Sequence, residues 1–173
     1  MSRRLPARFL LALLALSLVS GCGFRPLYGA GEKGPSAAAL AEVAVAPIAD
    51  RIGQQVRNRL LDRLNPKGRP VRPRYRLEVE IAERRTGIAV ESDDTVSRIN
   101  LTLSASFALH GGAAERPIFT GTTRTIAAYN ITRSDYANLI AERDARSRAA
   151  RTLADEIGTR LAIFFNKNNA RKS

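Results

Sequence analysis

The chain has one cysteine, one histidine, one methionine and no tryptophan among its 173 residues. A single cysteine excludes a disulfide within the chain. One Cys and one His cannot supply a zinc site built from those two ligand types. A Ser-His-Asp arrangement would have to use His110 as its base. His110 precedes Gly111-Gly112, which read as a hairpin turn, where a base lacks a buried wall. Asp93 and Asp94 are neighbours that point apart on an extended chain, and they need further partners to hold a metal. No glycine-rich loop opens a helix to cradle a phosphate, and no nucleophile stands beside an organised base. Catalysis, a metal and a bound cofactor are therefore not expected. A row of exposed aromatics is missing too, so nucleic acid has no stacking platform and is not an expected partner. Acids are scarce: 16 Asp+Glu stand against 28 Lys+Arg, a net charge of +12, which favours an anionic partner.

Long apolar runs are also missing, with one short exception. Phe9 to Val19 is almost unbroken apolar sequence behind an N-terminus with three Arg and no acid. It is too short for a spanning helix, which needs about 20 apolar residues. A basic region followed by a short apolar one is the pattern of a secretory signal peptide. Val19-Ser20-Gly21-Cys22 resembles the bacterial lipobox, with cleavage between Gly21 and Cys22. The Cys22 thiol would carry diacylglycerol, and its freed amine an N-acyl chain. A free thiol in an oxidising envelope would otherwise be a liability. One acyl chain anchors marginally, and several anchor stably. Gly23 follows, where lipobox families place Asp for inner-membrane retention, so an outer-membrane, periplasm-facing position is expected.

Residues 1–21 are thus expected to be a signal peptide, 22–39 a lipidated N-terminus and flexible tether, 40–166 a folded domain and 167–173 a disordered tail. The tether is rich in Gly and Pro, with Phe24, Leu27 and Tyr28 as apolar exceptions. Leu40 to Ile48 alternates as a short strand. Asp50 is a candidate N-cap for a helix over 51–64, whose apolar positions are Ile52, Val56, Leu60, Leu61 and Leu64. Strands follow at 75–81 and 96–109, with a break at Gly87 and the acidic 91–94 stretch. The second alternates Ile99, Leu101, Leu103, Ala105, Phe107 and Leu109 with small polar residues. A return strand spans 117–129, and Ser134-Asp135 cap a long final helix with an apolar stripe from Ala137 to Phe164. The order β-α-β-β-β-α predicts an α+β two-layer sandwich: a four-stranded mixed sheet with two helices packed on one face. Its first two strands should pair in parallel.

Two basic sets are candidates for binding lipopolysaccharide or another anion. Residues 51–76 hold nine Lys+Arg against one acid, Asp62, with Arg57, Arg59 and Arg63 on the helix. A solvated helix face accounts for such a run equally well. Arg84, Arg85 and Arg98 flank the 83–98 loop. Arginine suits phosphate because its fork binds two oxygens at once.

The run Cys22-Gly23-Phe24-Arg25-Pro26-Leu27-Tyr28-Gly29 resembles the mature N-terminus of the LptE lipoproteins, formerly rare lipoprotein B. The order of elements is similar along the rest of the chain, although only this run is specific in sequence. The resemblance implies no enzymatic role. It implies an outer-membrane lipoprotein that plugs the LptD β-barrel, assists its assembly and takes part in lipopolysaccharide transport and insertion. An auxiliary lipoprotein of an envelope lipid transporter is the alternative. No lipopolysaccharide-binding residue carries over from the family, because no motif around one is matched.

Overall fold

A computed structural model describes residues 35–89, 96–112 and 114–171. The signal sequence, Cys22, the tether up to residue 34 and the acidic 91–94 stretch lie outside the described residues. The elements are α1 (Pro35–Ala41), β1 (Val43–Val45), α2 (Asp50–Leu64), β2 (Tyr75–Ala89), β3 (Val96–Gly111), β4 (Phe119–Asn130) and α3 (Asp135–Ala170).

Strand alternation builds the sheet. Leu77 and Val79 of β2 and Leu101, Leu103, Ala105, Phe107 and Leu109 of β3 are buried, while the residues between them are half-buried or exposed. The spatial order is β1-β2-β3-β4. β1 pairs with β2 in parallel, from Val43 opposite Tyr75 to Val45 opposite Leu77. The other pairs are antiparallel. The helices supply the second layer, so the α+β sandwich with a mixed sheet is the fold found, with α1 added before the first strand.

The helical layer is close-packed because one side of α3 is small. Ala145, Ala149, Ala150, Ala154 and Gly158 are buried there, between Leu153, Ile157, Leu161 and Phe165. α2 answers with Gly53, Val56, Leu60 and Leu64. Each fully buried Leu or Val contributes roughly 1.5–3 kcal/mol over leaving it in water. At one end a chain of rings closes the core. Phe119 stacks on Phe164 at 4.7 Å, and Phe165 meets Tyr75 edge-on at 5.0 Å.

Several boundaries differ from expectation, each for a physical reason. The tether was expected to reach residue 39, but Pro35–Ala41 is helical. Proline suits a first helical turn, the following alanines favour helix, and Leu40 is buried in the core. β1 is only three residues long. Pro47 lacks the N–H to extend the ladder, and the Arg57 Nε donates to the carbonyls of Val45 and Ala46, at 3.3 and 3.2 Å. Asp50 does not cap α2. It has φ +65°, a left-handed conformation that Asp tolerates, and no side-chain cap bond is made at this helix start. Ile48 folds over the first turn instead, in space left by Gly53, where a Cβ would fall 2.6 Å from the Ile48 Cγ2.

β2 runs on through Gly87, which pairs with Ile99, so glycine does not end the strand. Ser134 does cap α3, its side chain accepting from the Ala137 N–H at 3.3 Å. The apolar stripe of α3 is buried only from Ala145 onward. Leu139 and Ile140, in its first turns, are 45% and 43% exposed. The helix also continues beyond residue 166, to Ala170.

Candidate functional site

The two basic sets do not form one site, because most of these arginines already have partners. On α2, Arg63 donates from Nη1 to Asp155 Oδ1 at 3.0 Å and from Nη2 to Thr159 Oγ1 at 3.1 Å. Arg59 Nε lies 3.5 Å from the same carboxylate oxygen. One acid on α3 thus gathers two cations from α2. Arg57 binds backbone carbonyls at the end of β1. Arg59 and Arg63 thus tie α2 to α3 and Arg57 ties α2 to the end of β1, and the open phosphate-binding face expected of them is reduced accordingly.

The second set divides between the faces of the sheet. Arg85 shares a face with the buried strand residues, opposite Leu101, and donates to Glu142 of α3 at 2.9 Å. Beside it, Arg146 of α3 donates to both oxygens of Glu83, at 2.8 and 3.1 Å. The Glu83 hydrogen bond raises the Arg146 pKa above its ordinary value. Partial burial opposes the rise, and the charges of Glu83 and Glu142 add to it.

Arg84 and Arg98 lie on the opposite face. Arg84 is level with Thr102 and Ile126, and Arg98 is level with Ile88 and Asn130. Both are exposed and make no ion pair with any described residue. Arg124 of β4 completes this group. It is level with Ser104 and equally without an ion pair. Sequence reasoning missed it. The available signal was the phase of the return strand, which puts even-numbered residues of β4 on the same face as even-numbered residues of β2 and β3.

His110 is not at a turn tip. It lies in β3 opposite Arg76, with a side chain only 11% exposed. Glu78 Oε2 is 3.4 Å from its Nε2, yet neither ring nitrogen has a partner with hydrogen-bond geometry. Among the described residues, no group of three or more His, Cys, Asp or Glu could hold a metal ion. No helix among them is long and apolar enough to cross a membrane.

Comparison with known proteins agrees with this architecture. A protein of Caulobacter crescentus described as a lipoprotein shares the fold at a TM-score of 0.64 and 24% identity, over 76% of this chain and 96% of that one. The minor lipoprotein of Acinetobacter baumannii matches at 0.58 and 15%, over 71% and 92%. The rare lipoprotein B of Shewanella oneidensis matches at 0.54 and 14%, over 75% and 98%. At these identities the likeness is one of fold. No curated protein matches the sequence. The family model described as LptE, lipopolysaccharide-assembly, matches residues 40–161, which takes in every strand, α2 and most of α3. The chain therefore belongs to the LptE family of lipopolysaccharide-assembly proteins.

Proposed function

We propose that this protein is an outer-membrane lipoprotein, anchored through Cys22, that plugs the LptD β-barrel, assists its assembly and takes part in delivering lipopolysaccharide to the outer membrane. A role in lipopolysaccharide assembly follows from family membership, and the match over residues 40–161 is the observation that carries the reading. The family is described as one of lipopolysaccharide assembly, which supports a role without catalysis. The signal sequence, the lipobox and Gly23 support a lipid-anchored protein of the outer membrane. Physical size supports the plug. A domain of this length has a radius of gyration of about 15 Å. Barrels of about 22 strands enclose a lumen that needs filling. The interior of such a barrel is polar, so its plug needs no large apolar patch.

Solubilising the membrane with mild detergent and purifying the intact lipoprotein tests the proposal. A heat-modifiable outer-membrane barrel should co-purify, and depletion of the lipoprotein should lower surface lipopolysaccharide. Recovery of an inner-membrane ATPase complex in place of a barrel would favour the transporter alternative. Normal surface lipopolysaccharide after depletion would overturn the proposal.

A further inference from the structure

The helices cover one face of the sheet and leave the other bare among the described residues. The bare face is built from small side chains. Ala82, Ser104, Ser106, Ala108, Thr120 and Thr122 occupy its centre in register across β2, β3 and β4. A shallow depression of about 440 Å³ on this face is lined by Glu78, Glu80, Ser106, Ala108, Thr120 and Thr122. Ala, Ser and Thr lose little side-chain entropy when covered, and they let a second flat surface approach the backbone. Two stacked sheets need only about 10 Å between them.

The face is also electrically divided. Arg84 and Arg98 stand toward the β2–β3 connection and Arg124 is level with Ser104 at the centre, each without an ion pair among the described residues. Ile126, 58% exposed, lies level with Arg84, and Ile88, 39% exposed, lies level with Arg98. Toward the Tyr75 end the same face carries Glu80 and Glu78, the latter 2.9 Å from Arg76. The helical side lacks this surplus at many of its arginines. Arg59 and Arg63 share Asp155, Arg85 has Glu142, Arg146 has Glu83, Arg148 has Asp144 and Arg160 has Glu156.

We infer that the bare sheet face, and not the helical layer, is the surface that lies against the inner wall of the barrel. It meets a flat polar stretch of wall that carries carboxylates opposite Arg84, Arg98 and Arg124. This inference rests on the plug reading. The complementary charge orients the domain about its long axis, and the small residues between allow close sheet-on-sheet contact.

The test uses the full-length lipidated protein in its own membrane. A photo-crosslinking amino acid is placed at Thr102, Ser106 or Thr122 on the bare face, and at Asn58, Asp62 or Arg151 on the helical side. The bare-face positions should crosslink to the barrel and the helical ones should not. Crosslinks to the barrel from the helical positions alone would overturn the inference and leave the plug reading standing. Crosslinks from Thr102 to a second copy of the chain would overturn it in favour of self-association. If wild-type protein brings down no barrel at all, both readings fall.

A second variant carries Arg84→Glu, Arg98→Glu and Arg124→Glu together. These residues are exposed and make no ion pair among the described residues, so unfolding behaviour should stay that of the wild type. Barrel recovered with the variant should fall at least about tenfold. Undiminished recovery with an intact fold would overturn the inference.

Discussion

Arg63 on α2 and Asp155 on α3 meet at 3.0 Å, and the approach depends on the absence of a side chain at position 158. A Cβ on Gly158 would fall 2.5 Å from the Arg63 Nε and 2.6 Å from its Cδ. Glycine inside a helix costs about 1 kcal/mol relative to alanine, so its presence here is offset by the interhelical bonds it permits. Those bonds run from one half-buried guanidinium to a carboxylate and a hydroxyl.

The sign of Gly158→Ala should therefore depend on Arg63. In the wild-type chain the substitution gains about 1 kcal/mol of helix propensity and loses about 2 kcal/mol in displaced hydrogen bonds and crowding, for a net loss of about 1 kcal/mol. In an Arg63→Ala background the crowding is gone, and Gly158→Ala should stabilise by about 1 kcal/mol. A double-mutant cycle by urea unfolding reads the coupling directly. Equal effects in both backgrounds would show that the two residues are independent.

Gly121 stands opposite Phe107 across β3 and β4, and the buried ring lies over it. A Cβ at position 121 would sit 2.5 Å from the Phe107 Cζ. Unlike Arg63, this ring is 4% exposed and leans on Phe119 at 5.8 Å, so it has nowhere to move. Gly121→Ala should destabilise the domain by about 1–3 kcal/mol, measured by thermal or chemical unfolding. Phe107→Leu in the same chain should recover part of the loss by vacating the space.

The Glu83–Arg146 pair makes a prediction about pH. Arg146 has a raised pKa, chiefly through its hydrogen bond to Glu83. A raised cation stabilises the fold fully below its unfolded-state pKa, and the contribution is lost only as pH climbs through the folded one. For a guanidinium that window lies above about pH 12. Arg146→Gln should thus cost about 1 kcal/mol after allowing for solvent screening of a side chain 32% exposed, and the cost should be the same at pH 6 and pH 9. Salt should diminish it. A cost that changes between those two pH values would mean that another titrating group governs this contact.

The parts of the fold that could be read in advance have a period of their own. β3 alternates cleanly, and α2 repeats at helical spacing. α1 lacked that support: seven residues are too few for a stable isolated helix, and this one is held by tertiary packing of Leu40. The fate of each arginine was hidden for a similar reason. Arg84 and Arg85 are adjacent and chemically identical, and alternation alone sends them to opposite faces. Which of them meets an acid depends on Glu142, 57 residues further along, and the partner of Arg63 is 92 residues away. Local sequence shows where charge is abundant, whereas tertiary pairing decides where charge is left unpaired.

The last prediction concerns the N-terminus, where the sequence alone carries the argument. If Cys22 bears the acyl chains, Cys22→Ala should abolish labelling with radioactive palmitate and leave the protein out of the membrane fraction. No helix among the described residues is long and apolar enough to cross the bilayer in place of the anchor. Gly23→Asp should keep the label but move the protein from the outer to the inner membrane, as separated on a sucrose gradient. The two variants test different steps. Cys22→Ala removes attachment, whereas Gly23→Asp leaves attachment intact and changes only the destination. Membrane association that survives Cys22→Ala would place the anchor elsewhere, and an unchanged gradient position for Gly23→Asp would mean that residue 23 does not direct sorting.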